Sequence, residues 1–157
     1  MRYAISFLVL FAAGLGLSAL AADPPAQPPD YRPSTSDLMT GFIQPRHAKL
    51  FLAGRARNWE FAEYERHNLG GAFARMAAAA PKIGDAATSD LIAAFVTPPL
   101  SDLEAAIKAK DDKAFQQAFD TLTAGCNGCH QATGHRVVVL KRPAGDPFPD
   151  QDFTPHP

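Results

Sequence analysis

The sequence predicts an all-α fold, and three observations carry that prediction. Apolar residues recur every three or four positions through four separate regions of residues 34–136. Capping residues, glycines and prolines fall at the joints between those regions. Only one short run, Val137-Val138-Val139-Leu140, has strand character, and it has no evident partner run. A chain of 157 residues is long enough for one modest core, so a single folded domain is expected.

Residues 1–21 begin with Arg2, continue through an apolar run and finish with Ala19 and Ala21, the small-residue spacing of a signal-peptide cleavage site. The run is short for a membrane span, and no cysteine follows it to take a lipid. The expectation is export, to the periplasm. Cleavage would remove the positive Arg2 from a chain whose formal charge is −1, and no dense basic patch remains, so nucleic acid is not an expected partner. Residues 22–33, with Pro24-Pro25 and Pro28-Pro29, read as an extended proline-rich leader.

The first helical region covers residues 34–56, with Leu38, Met39, Phe42, Ile43, Leu50 and Ala53 near helical spacing and Ser34 or Thr35 as cap. Pro45 lacks an N–H and crowds the carbonyl near Gly41, which predicts a kink or two coaxial pieces. Asn58 caps the second region, whose stripe is Trp59, Ala62, Leu69, Phe73 and Met76; it ends at Pro81. A turn over residues 82–85 leads to a third region. This region is interrupted by Pro98-Pro99, with Ser101 and Glu104 at capping-box spacing and Leu100, Leu103 and Ile107 on the buried side. Residues 108–112 form a polar connection to the fourth region, where Phe115, Ala118, Phe119, Leu122 and Cys126 repeat at helical intervals up to a stop at Thr133-Gly134. Residues 137–157 are expected to be an irregular, extended tail: the valine run lies against the helices, and Phe148 and Phe153 either cover the edge of a bound group or patch the core.

The fourth region ends in Cys126-Asn127-Gly128-Cys129-His130, which contains the only two cysteines of the chain. A Cys-x-x-Cys-His run can form thioethers to the two vinyl groups of one haem c while the adjacent imidazole reaches the iron. On a helix, positions three and four apart share a face, so Cys126, Cys129 and His130 point the same way, with His130 as the proximal ligand. Gly125 and Gly128 suit a close cofactor approach or mark flexible turns. Two other readings use the same residues: a redox disulfide between Cys126 and Cys129, and a zinc site completed by His130 and His135. The absence of a strand-then-helix pattern weighs against the first, and the adjacency of Cys129 and His130 against the second.

Lys110-Asp111-Asp112-Lys113-Ala114, the apolar helix that follows, and the run from Cys126 through Gln131-Ala132 resemble the class II cytochromes c, the cytochrome c prime group and its low-spin relatives. The likeness covers residues 34–136, and its specific part is the attachment motif. The resemblance implies an antiparallel up-down-up-down four-helix bundle with haem near the end of the fourth helix, and an exported electron carrier or gas-binding haem protein rather than an enzyme. The interrupted first and third regions and the long tail depart from the family pattern.

In such a bundle the start of helix one lies beside the end of helix four, which puts Met39 opposite His130 as the sixth iron ligand. The low-spin relatives resemble this arrangement in using a first-helix methionine. Ordinary core packing is the plain alternative for Met39. His47 is the rival ligand, and an iron with no sixth protein ligand is the third case; Met76 is a packing residue near the haem end. A Met39-ligated iron predicts single-electron transfer with periplasmic or membrane-bound redox proteins, whereas an open sixth position predicts binding of nitric oxide or carbon monoxide. A peroxidase built on Arg46 and His47 would need both side chains at the iron. The acidic net charge, made more so by two haem propionates, predicts a partner with a basic docking face, and a homodimer is compatible with the pattern. A small helical interaction module with no haem is the remaining class.

Overall fold

The computed structural model describes residues 31–156, so the signal peptide expected over residues 1–21 and all but the last residues of the expected leader lie outside it. The described chain is mainly helical. Ser34 starts the first helix with a capping box: its Oγ accepts the Asp37 N–H at 3.1 Å, and Asp37 Oδ2 accepts the Ser34 N–H at 3.1 Å. The helix begins as α1 (Thr35–Leu38), widens into a π-helical stretch (Met39–Ile43) and continues as α2 (Gln44–Arg55). This is how the chain absorbs Pro45. The Gln44 N–H reaches back five residues to the Met39 carbonyl, and the wider turn makes room for a ring that an ordinary α-turn would crowd. The expected kink is therefore a π stretch, with no gap between the pieces.

Asn58 caps α3 (Trp59–Ala79) by accepting the Phe61 N–H at 3.1 Å. Ala62, Glu65, Leu69, Ala72, Phe73 and Met76 form its buried stripe. A small antiparallel hairpin follows, β1 (Lys82–Ile83) paired with β2 (Ala86–Ala87), turning through Gly84 at φ +60°. The sequence indicates only a turn there, because two-residue strands carry no periodic signal.

Val96 separates α4 (Thr88–Phe95) from α5 (Thr97–Ala109). Pro98 and Pro99 sit in the first turn of α5, where the missing N–H groups have no intrahelical partner to lose. Ser101 and Glu104 are consequently interior to α5, and the capping-box expectation at that spacing is corrected. Lys110, at φ 53°, closes α5, and Asp111 caps α6 (Asp112–Ala132) through the Ala114 N–H at 3.0 Å. Gly134, at φ +80°, lies just past its end. No helix among the described residues is long and apolar enough to cross a membrane.

Helix α2 packs on α3, α3 on α5, α5 on α6 and α6 on α2, while α4 contacts α3, α5 and α6. Leu50, Leu69, Met76, Leu103, Phe115, Phe119 and Leu122 are wholly inside. Phe115 of α6 fills the space over Gly54 of α2, where a Cβ would fall within the ring.

Beyond α6 the irregular tail doubles back along the helices. Arg142 makes a two-pronged ion pair with Asp120, donates to the Gln116 carbonyl at 3.2 Å and lies over the Phe51 ring. Further on, Phe148 lies beneath the Lys49 ammonium, Phe153 stacks on Phe61 with centroids 5.4 Å apart, and Asn58 Nδ2 donates to the Thr154 carbonyl at 2.9 Å. Phe153 belongs to the core. Asn58 thus caps a helix and ties down the tail, and Asn58→Ala is expected to lower unfolding free energy by about 1–2 kcal/mol. Urea denaturation measures this; an unchanged midpoint would mean the cap and tail bonds carry no net stability.

Candidate functional site

The spacing of α6 brings Cys126, Cys129 and His130 to one wall of a cleft of about 220 Å³. The other walls come from the start of the first helix (Met39, Thr40, Ile43, Gln44), the end of α3 (Phe73, Met76), α4 with Val96 (Leu91, Ile92), and Val138 and Leu140 of the tail. Among the described residues, no Lys, Arg, Asp or Glu lines the cleft.

His130 is oriented by the tail. Its Nδ1 lies 2.9 Å from the Val138 carbonyl oxygen, which can only accept, so Nδ1 carries a proton and Nε2 is the nitrogen left to face a ligand. This is the outer-shell arrangement that fixes the tautomer and ring plane of a metal-binding histidine. Val138 is held in turn by Asn127, whose Nδ2 donates to the Leu140 carbonyl at 2.9 Å and whose Oδ1 accepts the Leu140 N–H at 2.7 Å. The free position after Cys126 thus pins the strap that orients His130. Neither Val138 nor Asn127 is evident as a functional residue in the sequence, since one acts through a backbone carbonyl and the other occupies a variable motif position.

Both cysteines are free thiols, Cys126 buried and Cys129 half-buried. Burial, with the neighbouring Cys129, pushes the Cys126 thiol up to about 12, and burial raises Cys129 as well. Reactive Cys-x-x-Cys pairs of thiol redox proteins depend on a depressed thiol pKa, the opposite direction. No three His, Cys, Asp or Glu side chains among the described residues are grouped to hold a metal ion, which weighs against zinc. His135 instead pairs through Nδ1 with Thr133 Oγ1 at 3.1 Å.

Met39 sits in the π-helical stretch, half-buried, on the same cleft as His130. His47 does not line the cleft. Its Nε2 lies 2.9 Å from Thr123 Oγ1, which itself donates to the Phe119 carbonyl at 2.9 Å, so Nε2 is the donor; the ring packs 4.5 Å from Phe119. Burial holds its pKa down to about 4. Arg46 turns aside to donate to the Phe42 carbonyl at 2.8 Å. The pair required by the peroxidase reading is therefore not assembled at the cleft.

One expectation changes here. Gly125 and Gly128 make room for α4 rather than for a cofactor or a turn: a Cβ at Gly125 would run into the Phe95 carbonyl oxygen, and one at Gly128 would press on the Phe95 ring at 3.0 Å. The run from Val137 to Leu140 is an extended segment held on α6, with Leu140 packed on the core and the Val137, Val138 and Val139 side chains exposed. Phe148 and Phe153 take no part in lining the cleft.

Removing Asn127 tests the strap. Asn127→Ala is expected to lower stability by about 1–2 kcal/mol and to speed hydrogen exchange at the Leu140 amide. Equal exchange in both proteins would show that the strap is held by other contacts.

Comparison with protein-family models, curated protein sequences and solved structures returns no match.

Proposed function

We propose that the protein is a c-type cytochrome of the class II kind, exported to the periplasm, that carries one covalently attached haem and passes single electrons. The observation that carries this reading is the convergence of Cys126, Cys129, His130 and Met39 on one apolar cleft, with His130 Nδ1 tied to the Val138 carbonyl and Nε2 left to face a ligand. Cys126 and Cys129 would hold the macrocycle by thioethers, and His130 and Met39 would supply the axial nitrogen and sulfur. When bound, haem supplies a one-electron couple at its iron. The chain's own part is to fix the His130 ring, keep formal charge out of the cleft lining and exclude water with Phe73, Met76, Leu91 and Ile92. The helix pairings α2 with α3, α3 with α5, α5 with α6 and α6 with α2 support an antiparallel up-down-up-down bundle in which α1 to α2, α3, α4 with α5, and α6 are the four legs.

Expression with haem-attachment machinery, followed by mass spectrometry under denaturing conditions, tests the proposal. A mass increased by one haem is expected, and its loss in Cys126→Ala/Cys129→Ala; a chain of bare polypeptide mass would end the cytochrome reading. Oxidised and reduced optical spectra then test Met39. Low-spin signatures that become high-spin in Met39→Ala are expected, whereas a five-coordinate spectrum in both states of the unaltered protein would favour a gas-binding haem protein instead.

A further inference from the structure

The strap that orients His130 also presents the most exposed apolar run on the described surface. Val137, Val138 and Val139 have fractional exposures of 87%, 49% and 73%. They are not exposed for want of anchoring. The Val138 N–H donates to the His135 carbonyl at 2.9 Å, its carbonyl accepts from His130, and Leu140 is bonded both ways to Asn127. A segment fixed at three points, with its valines turned to water, is an ordered apolar patch of the kind that marks an interaction surface.

Its charge surroundings give the patch a sign. Residues 121–145 contain no Asp or Glu but hold Arg136, Lys141 and Arg142. Arg142 is engaged by Asp120, while Arg136 and Lys141 flank the valines, exposed and in no ion pair among the described residues. The cleft lining beside them adds no formal charge from Lys, Arg, Asp or Glu. The strap itself is therefore positive on a chain whose formal net charge is −1, opposite to the sign that net charge alone suggests for docking.

We infer that the Arg136 to Lys141 strap is the docking surface for a redox protein that presents an apolar centre ringed by carboxylates. The inference rests on the cytochrome reading. Apolar contact with the valines would exclude water at the mouth, and the two cations would steer and register the acidic rim. Because Val138 both lines the cleft and accepts from His130, a partner seated here would stand immediately beside the iron's proximal side chain.

The test uses the holoprotein on two gold electrodes, one coated with a mixed methyl- and carboxylate-terminated monolayer, the other with methyl and ammonium termini. Haem content by mass spectrometry and a one-electron wave with a soluble mediator are established first, so failure of the cytochrome reading is seen there and not confused with failure of docking. Electron exchange is expected to be faster on the carboxylate surface by about tenfold or more, and to slow with added salt. Arg136→Glu/Lys141→Glu should reverse the preference, and Val137→Ser/Val139→Ser should slow exchange with the mediated wave unchanged. Equal rates on the two surfaces would overturn the inference, as would a double charge reversal that shifts the mediated potential while leaving the surface preference intact, since the cations would then serve the haem propionates. Strap-dependent binding to phosphatidylglycerol vesicles in place of the carboxylate electrode, or a strap-dependent dimer in sedimentation, would also overturn it, in favour of a membrane or a second copy.

Discussion

Gly125→Ala is expected to destabilise the protein by about 2–3 kcal/mol, although alanine is the better helix former by about 1 kcal/mol. The reason is the Phe95 carbonyl at the end of α4, which occupies the place of the new methyl group. A flexible side chain would swing away, but a backbone oxygen moves only with its helix. Because Leu91 and Ile92 of α4 line the cleft, the same displacement should loosen that wall and, on the cytochrome reading proposed above, reduce haem incorporation. Gly41→Ala is the control: nothing lies within 4 Å of its added Cβ, and it should hold stability or raise it by up to about 1 kcal/mol. Urea midpoints of the two variants decide the matter. Equal stability of Gly125→Ala and the unaltered protein would show that α4 does not approach α6 as described.

The second large effect is a pH dependence carried by His47. Its pKa is held down to about 4 by burial, against an ordinary 6.5. Above 6.5 the ring is neutral in both folded and unfolded chains, so its full contribution to stability is present. As pH falls between 6.5 and about 4, the unfolded chain takes up a proton that the buried ring refuses, and stability is lost. At about 1.4 kcal/mol per pH unit, the loss amounts to about 3 kcal/mol. Glu65 works in the other direction, since burial raises its carboxyl pKa despite the nearby Lys49 and Arg46. The measurement is therefore the difference in unfolding free energy between the unaltered protein and His47→Leu across this window. A difference independent of pH would mean that His47 is protonated, or hydrated, inside the fold.

The helices, and the placing of Cys126, Cys129 and His130 on one helix, are legible because their signals are local. Ser34, Asn58 and Asp111 cap within three residues of themselves, and the stripe from Phe115 to Cys126 repeats on one helix. Pro45 announced a disturbance but not its form, since an i to i+5 turn depends on how the surrounding chain accommodates the ring. The glycines beside the motif were read toward a cofactor because the helix that claims their space lies some thirty residues earlier in the chain. His47 looked like a ligand by residue type, and only the tertiary position of Thr123 and Phe119 reveals it as a core histidine. The strap was hidden most completely, because a backbone carbonyl has no residue identity to read.

The returning tail also sets an order of events during folding. Its outer anchor, Asn58 to Thr154, joins positions 96 apart, and closing such a loop rewards the chain only after α3 and α6 have met. The strap needs no such wait, since Val138 and Leu140 bond only to His135, His130 and Asn127, so the His130 ring is held as soon as the strap folds back on α6. Cys126 is buried and Cys129 half-buried once the core closes, so both thiols are most accessible before the helices pack. Orientation of the imidazole is thus a local event on α6, separate from the docking of Phe148, Phe153 and Thr154 onto α2 and α3.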